Sequence, residues 1–557
     1  MSHKSLPLSL RLSPLALALL ACSAGAFEIE TGNQDLSVRF DNTVRLNYAQ
    51  RVESRDSKIG NSPIADEGTY SFDRGDAVAE RIDLLTELDI VYKKRFGARF
   101  SGTAWRDFAY DGNSRRNPAA SPLYTPSYVG QKYSKYVNRF YQGGSGEVMD
   151  AFVFGGVDIG DVPVQAKLGR HTVYWGESLL LGGNMHGIAY SQNPLDLQKG
   201  FATPGTEAKE LFRPLNQFSV QAQVTDTLSL AAQYMLEWES FRYPEGGTYL
   251  GPVDFAFNGP NGQINAQLGF IANGGEVAPK QRGEWGLAAR WSPEWLDGTL
   301  GFYVRDYADK MPQALITNPV PGKGVYNLIY ADDIMLYGVS LAKNIGGVSV
   351  GTELSFRRNT PLSTQTLGIA PGLPAQGQTK GARGDTTHFL INMLGVIAKT
   401  PIFDTASWAA EVTWSEYTKV RSGANLFNAI GAGYAAACNA PGVDKWNGCT
   451  TKSYTGLGLG FTPTWFQVLP GVDLSAPITA SVGLRGNAAT TFGGNEEMGN
   501  YSLGLGADVF QKYRFDLKYI DYFGRTKDNG TAVTAQNGFT TLLKDRGFVS
   551  LTFKTTF

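Results

Sequence analysis

The chain closes on Phe548-Val549-Ser550-Leu551-Thr552-Phe553-Lys554-Thr555-Thr556-Phe557. In an extended strand successive side chains point to opposite faces, so Val549, Leu551, Phe553, Thr555 and Phe557 share one face and Phe548, Ser550, Thr552, Lys554 and Thr556 the other. The first row is mostly apolar and the second mostly hydroxyl-bearing. A soluble sheet buries such an apolar row and solvates its partner. A barrel in a membrane turns the apolar row to lipid and the polar one to its lumen. The upstream sequence separates the two.

Beyond residue 26 no uninterrupted apolar run approaches the ~20 residues of a spanning helix, and mean hydropathy is −0.20. Crossing a membrane would therefore require a closed sheet, in which every backbone group is paired. Such strands are plentiful. Leu36, Val38, Phe40, Val44, Leu46 and Tyr48 lie on one face; Ser37, Arg39, Asp41, Thr43, Arg45, Asn47 and Arg51 lie on the other and must look into water. The alternation returns in Arg81 to Tyr92, Phe96 to Tyr110, Ala151 to Val157, Pro163 to His171, Phe218 to Val224 and Leu228 to Trp238, the last with Glu237 and Glu239 opposite its apolar row. Further strands are expected near Trp285–Trp291, Leu300 to Tyr307, Met335 to Leu341, Val348 to Phe356, Phe389 to Ala398, Trp408 to Trp414, Leu457 to Phe461, Leu474 to Leu484, Tyr501 to Val509 and Tyr513 to Tyr519.

The tally is about 18 strands, in a range of about 16–18, with roughly nine long loops alternating with short turns. The expectation is an all-β transmembrane antiparallel barrel, long loops outside and short turns in the periplasm. The last strand resembles the C-terminal signature of bacterial outer-membrane barrels, which their assembly machinery reads at a terminal aromatic such as Phe557. At the other end, Lys4, Arg11, the apolar run Leu15 to Ala21 and Ala24-Gly25-Ala26 read as a signal peptide, 1–26, leaving one barrel domain, 27–557. Leu19-Leu20-Ala21-Cys22 carries a rival reading as a lipidation site. Export to an oxidising compartment lets Cys438 and Cys449 pair, a link that restrains the unfolded chain by roughly 3 kcal/mol; as zinc ligands, with no histidine nearby, they would be poor.

Fifty basic against 51 acidic residues leave no basic excess for nucleic acid. Neither a Gly-x-Ser-x-Gly elbow, a His-Glu-x-x-His helix nor a phosphate-cradling loop occurs. Ser178 with His171 or His186 is a conceivable nucleophile pair, and Glu207 with Glu210 a conceivable carboxylate pair. Neither has an evident orienting partner, so no enzymatic activity and no cofactor are expected. Arg39, Arg45, Asp83, Glu87, Arg99, Glu353 and Arg357 are expected on the lumen wall, as a salt-bridge mesh, a selectivity lining or both.

The stretch 167–213 is too polar and interrupted for a strand or helix and too rich in bulky residues for a linker. It contains Gly169-Arg170-His171-Thr172-Val173-Tyr174-Trp175-Gly176-Glu177-Ser178, Gly182-Gly183-Asn184, Asn193-Pro194-Leu195-Asp196 and Pro204-Gly205-Thr206-Glu207-Ala208-Lys209-Glu210. As the third external loop of a wide barrel it is expected to fold inward and narrow the lumen. Arg170, Trp175, Glu177, Asn184, Asp196 and Glu207 are the expected solute contacts, with Arg170–Glu177 as a local ion pair. Trp175 has a second reading, packing the loop onto the wall.

With Glu30-Thr31-Gly32-Asn33-Gln34-Asp35-Leu36, Arg39-Phe40-Asp41-Asn42-Thr43 and Glu353-Leu354-Ser355-Phe356-Arg357, these motifs resemble the proteobacterial DUF1302 family over essentially the whole chain after residue 26. Gln34 departs from the Pro of the family pattern. The resemblance implies a large outer-membrane barrel, whose members are often encoded beside a DUF1329 protein and a resistance-nodulation-division exporter. It further implies movement of hydrophobic, lipid-like or aromatic compounds across the envelope. A channel or porin is thus expected; the alternatives are a plugged barrel acting as a surface binding or assembly protein and, behind it, an outer-membrane hydrolase.

Overall fold

The computed structural model describes residues 27–120, 126–204, 206, 208–265, 268–365, 372–374 and 379–557. The expected signal segment 1–26 and Glu207 lie outside them. Period-two runs joined by short turns have only their neighbours within reach, and each pairs antiparallel with the next. The strands are β1 (Leu36–Arg51), β2 (Ala77–Tyr92), β3 (Phe96–Asp107), β4 (Gly143–Ile159), β5 (Val162–His171) and β6 (Leu215–Thr225). Next come β7 (Leu228–Met235), β8 (Trp285–Trp291), β9 (Gly298–Tyr307), β10 (Ile334–Ile345), β11 (Val348–Pro361) and β12 (Arg383–Ile397). The circuit continues through β13 (Thr405–Ser422), β14 (Ser453–Leu469), β15 (Val472–Ser475 and Ile478–Arg485), β16 (Gly499–Val509), β17 (Tyr513–Phe523) and β18 (Phe548–Thr556). β15 breaks at Ala476-Pro477, where proline has no N–H to give the ladder.

The barrel closes where β18 pairs with β1, from Thr43↔Thr556 to Arg51↔Phe548, making 18 strands. Phe557 itself exchanges both backbone hydrogen bonds with Asn42, at 2.7 and 2.9 Å. Beyond it a short strand, Phe27–Ile29, pairs antiparallel with β1. Short turns (93–95, 160–161, 226–227, 346–347 and others) gather at one rim and nine long loops at the opposite one. Two of those loops add a small outer sheet from Gly262–Asn265, Gly269–Val277, Gln313–Asn318 and Gly324–Ile329.

Strand parity sets the wall chemistry. Phe100, Val153, Leu168, Leu230, Leu287, Phe302, Leu354, Leu459, Leu503, Leu517 and Leu551 all point outward and are exposed. Soluble proteins rarely leave contiguous apolar patches beyond a few hundred Å², whereas a transmembrane barrel needs this belt. Tyr92, Phe96, Trp291, Trp295 and Phe510 stand exposed near the short-turn rim, as interfacial aromatics do.

Some boundaries differ from the sequence expectation. β4 starts at Gly143 rather than near Ala151, because β3 pairs with the glycine-rich 143–150 segment, which lacks an apolar row. β7 stops at Met235, and Glu237 and Glu239 fall in the following loop, where they bind Arg170.

Leu354 sits mid-strand on the outer face. Leu354→Arg is expected to destabilise the barrel by about 2–4 kcal/mol, read as a lowered denaturant midpoint in lipid vesicles, while arginine at the inward, exposed Ser481 should shift it little.

Candidate functional site

The loop 172–214 joins β5 to β6 and has no ladder of its own, so its backbone groups must find partners elsewhere. The inner wall supplies them. The Glu353 carboxylate on β11 accepts N–H bonds from Glu177, Ser178 (3.0 Å) and Ile188 (2.6 Å). Glu411 on β13 accepts from Leu179 (2.8 Å), Leu180 (3.1 Å) and Gly183 (3.0 Å). Arginines serve the carbonyls. Arg357 donates to Met185 and Gly187, and Arg305 to Ile188 and Tyr190, over 2.7–3.1 Å. Asn392 donates to the Glu177 carbonyl at 2.5 Å. Gly183 lets the chain close on Glu411: a Cβ there would stand 2.1 Å from its Oε1.

The returning half is anchored across the barrel. Asp196 caps the helix Leu197–Ala202 through the Lys199 N–H (2.8 Å) and pairs with Arg242, which also holds Glu147. Lys199 and Arg45 both grip Glu210, at 2.9 and 2.8 Å, and Arg45 and Arg81 flank Asp83. Lys209 reaches Glu87, which Arg99 also binds along with Asp89 and Asp150. Thr552 on β18 donates to the Pro204 carbonyl. Contacts with β9–β13 on one side and with β1, β2 and β18 on the other carry the loop across the lumen.

Several expected contacts move. Arg170 shares the outward parity of Leu168 and pairs with Glu237 and Glu239 at the outer rim, so it neither meets Glu177 nor faces the lumen. The cause is the strand itself, which continues to His171 and fixes which way Arg170 points. Trp175 is buried against the wall, 6.2 Å from the Tyr303 ring and over Gly286, the packing alternative rather than a face bared to solute. Glu177 lies beside Ser340 and 3.8 Å from Arg290. Asn184 is buried within the helix Leu181–His186. Arg39 is exposed and pairs with Asp41. Ser178 hydrogen-bonds Tyr174, His171 bonds Ser219, and His186 bonds His388 (3.0 Å) and the Gly493 carbonyl, so neither proposed Ser–His pair forms. Cys438 and Cys449 are disulfide-bonded.

What the loop leaves open lies along β14–β16. Arg45, Asp83, Glu353, Arg357 and Glu411 are at most 3 % exposed, sealed under the loop, whereas the inward Thr479 and Ser481 are exposed. There β14 presents Gly456, Gly458 and Gly460 inward, and β16 presents Gly504 and Gly506. A cavity of about 700 Å³ runs between this wall, the helix Leu181–His186 and the external loops. Toward the short-turn rim a chamber of about 910 Å³ is lined by Asp508, Arg514, Asp516, Lys518 and Lys554. The sequence carried a signal for this arc, glycine at every second position in Gly456-Leu457-Gly458-Leu459-Gly460, which reads as turn-rich composition until its period is counted.

The external loops form a packed cap. Arg546 donates to the carbonyls of Tyr249 and Gly251 (2.8 Å each), and Arg51 to those of Thr69 and Phe72. Asp254 accepts the N–H groups of Glu67 and Gly68, at 2.9 and 3.0 Å. Burial first, then repulsion from neighbouring acids, pushes the Asp254 carboxyl up to about 7 and that of Glu67 well above the usual carboxylate range.

Fold and site together define a transmembrane β-barrel whose lumen is crossed by its third external loop. The chain belongs to the DUF1302 family, described as a protein of unknown function, whose model matches residues 8–557. No curated protein matches it. Among solved structures it is similar to OccAB1 of Acinetobacter baumannii, with 9% identity and a TM-score of 0.43 over 96% of this chain and 99% of that one. It is also similar to OprD of Pseudomonas aeruginosa, with 10% identity and a TM-score of 0.39 over 96% of each chain. A third is the outer-membrane channel DcaP of Acinetobacter baumannii, with 10% identity and a TM-score of 0.37 over 96% of this chain and 100% of that one.

Each buried N–H stripped of its acceptor costs roughly 1–3 kcal/mol. Glu353→Ala combined with Glu411→Ala is therefore expected to speed amide exchange in residues 177–188 by at least about tenfold while the barrel stays folded; unchanged exchange would refute the anchoring role. For the cap, the folded state binds protons that the unfolded chain has released, so stability falls as pH rises from the ordinary carboxylate range through about 7. Exchange in residues 64–70 and 252–256, corrected for its intrinsic pH dependence, should be faster at high pH than at low, and Asp254→Asn should flatten the difference.

Proposed function

We propose that the protein is a bacterial outer-membrane channel that passes small, largely apolar, lipid-like or aromatic compounds, as importer or exporter. The observation that carries this reading is the contrast within one wall: Arg45, Asp83, Arg305, Glu353, Arg357 and Glu411 are sealed beneath the third loop, while β14–β16 offer small inward residues, Thr479 and Ser481 exposed among them, beside a mainly apolar cavity. A solute follows the gap between loop and glycine wall and leaves through the polar chamber at the short-turn rim. Selectivity then comes from lining chemistry and width. Exchange of solute with a DUF1329 protein and a resistance-nodulation-division exporter, delivery by a signal peptide at 1–26, and recognition of the last strand by the barrel assembly machinery are parts of the same proposal.

The dense anchoring of the loop favours one competing reading, a permanently plugged barrel that works through its outer surface. Planar-bilayer recording separates them. The channel reading expects discrete conductance, cut by at least about half in Ser481→Trp and unchanged in Arg170→Ala, whose side chain lies outside the lumen. A barrel that is silent in every condition would falsify it.

A further inference from the structure

We propose that the cavity beneath the external loops is a binding site for an uncharged, largely apolar molecule bearing an aromatic ring, seated on Tyr243, Phe257, Phe492 and Phe539. The proposal rests on the channel reading for where that molecule goes next, and it names the class of solute and the station at which it pauses.

The lining sets the charge of the ligand. Among the described residues around the cavity, Glu411 is the one carboxylate, and no lysine, arginine or aspartate is present. Glu411 already accepts three backbone N–H bonds, and His186 is engaged by His388 and the Gly493 carbonyl. An anion entering would lose its hydration and meet no counter-charge, and a cation would find only Glu411, already held by its three N–H donors. In a barrel whose inner wall is otherwise laced with ion pairs, this neutrality is local. Amide and hydroxyl groups of Asn495, Gln536 and Thr540 on the lining can still meet a hydroxyl or carbonyl. The volume, about 700 Å³, falls within the range of small-molecule sites.

The rings set its shape. Tyr243 and Phe257 stack at 5.0 Å with an interplanar angle of 11°. Phe492 stands 4.5 Å from Tyr243, and Phe539 stands 4.6 Å from Phe492. They come from three different external loops, so no local sequence requirement groups them. Phe257 (φ 71°) and Phe492 (φ 61°) both hold a left-handed backbone that bulky residues rarely adopt. Phe492 and Phe539 remain only half-buried. A flat apolar ring can extend this stack by offset or edge contact, as aromatic pairs prefer.

The test uses two dyes sharing one ring framework, neutral N-phenyl-1-naphthylamine and anionic 8-anilino-1-naphthalenesulfonate, titrated by fluorescence against the full-length barrel in nanodiscs with empty nanodiscs subtracted. The expected result is saturable binding of the neutral dye, with the anionic one weaker by at least about tenfold. Phe492→Ala with Phe539→Ala should weaken the neutral dye by a similar factor, with heat-modifiable migration showing the barrel intact. Thr540→Lys, which leaves the rings in place, should instead improve binding of the anionic dye. Equal affinity for the two dyes, or no change in either variant, would overturn the proposal. A wild type that conducts but binds no dye leaves the channel and removes this site; one that binds but never conducts keeps the site and removes the channel.

Discussion

A peptide segment led through the inside of a barrel needs a hydrogen-bonding partner for every N–H and C=O it carries. Residues 172–214 meet that constraint by borrowing side chains from the wall. Glu353 and Glu411 take the N–H groups, while Arg305 and Arg357 serve the carbonyls. The arrangement answers two problems together. Buried carboxylates and guanidinium groups are costly unless each is paired or hydrogen-bonded, and an irregular loop is costly unless its backbone is satisfied. Acid to N–H and arginine to C=O resolves both, and the loop becomes part of the wall.

That solution explains the uneven distribution of inner-wall chemistry. On β9, β11, β13, β1 and β2 inward charged residues such as Arg305, Glu353, Arg357, Glu411, Arg45 and Glu87 hold the loop. On β14–β16 the loop touches the wall only through Leu180 at Gly458 and His186 at Tyr454, with no charged anchor among those contacts, and the inward residues beside the cavity are largely glycine, serine and threonine. The open arc thus follows from where the anchors are absent. The cap repeats the logic with Arg51, Arg546 and Asp254, which tie external loops to one another through backbone groups. Burial of its acids makes this outer part of the molecule sensitive to pH, while the belt of lipid-facing side chains carries no charge to titrate.

Two features of the third loop show how a correct outline can coexist with misplaced contacts. Its inward course was legible from its bulk and from the width expected of the barrel. The outward turn of Arg170 was legible too, because the expected strand already ran to His171 and gives Arg170 the parity of Leu168, but its partners Glu237 and Glu239 lie on another loop. Trp175 and Glu177 sit in the same glycine-bounded turn, yet one packs against Tyr303 on β9 and the other lies beside Ser340 on β10. Nothing in the neighbouring residues distinguishes those destinations.

The sequence by itself determined the strand number to within about two, the face each strand turns to lipid and the alternation of short turns with long loops, and it favoured the pairing of Cys438 with Cys449. All of these follow from periodicity of two, from turn length or from residue type, properties read within a few tens of residues. Only the tertiary structure decided which wall residues clamp the third loop, which arc of lumen stays open and which loops bring Tyr243, Phe257, Phe492 and Phe539 together. Glu353 meets the Glu177 N–H 176 residues away, and Tyr243 meets Phe492 across the eight strands β8 to β15. Such contacts depend on closure of the barrel, and closure is a property of all the strands at once.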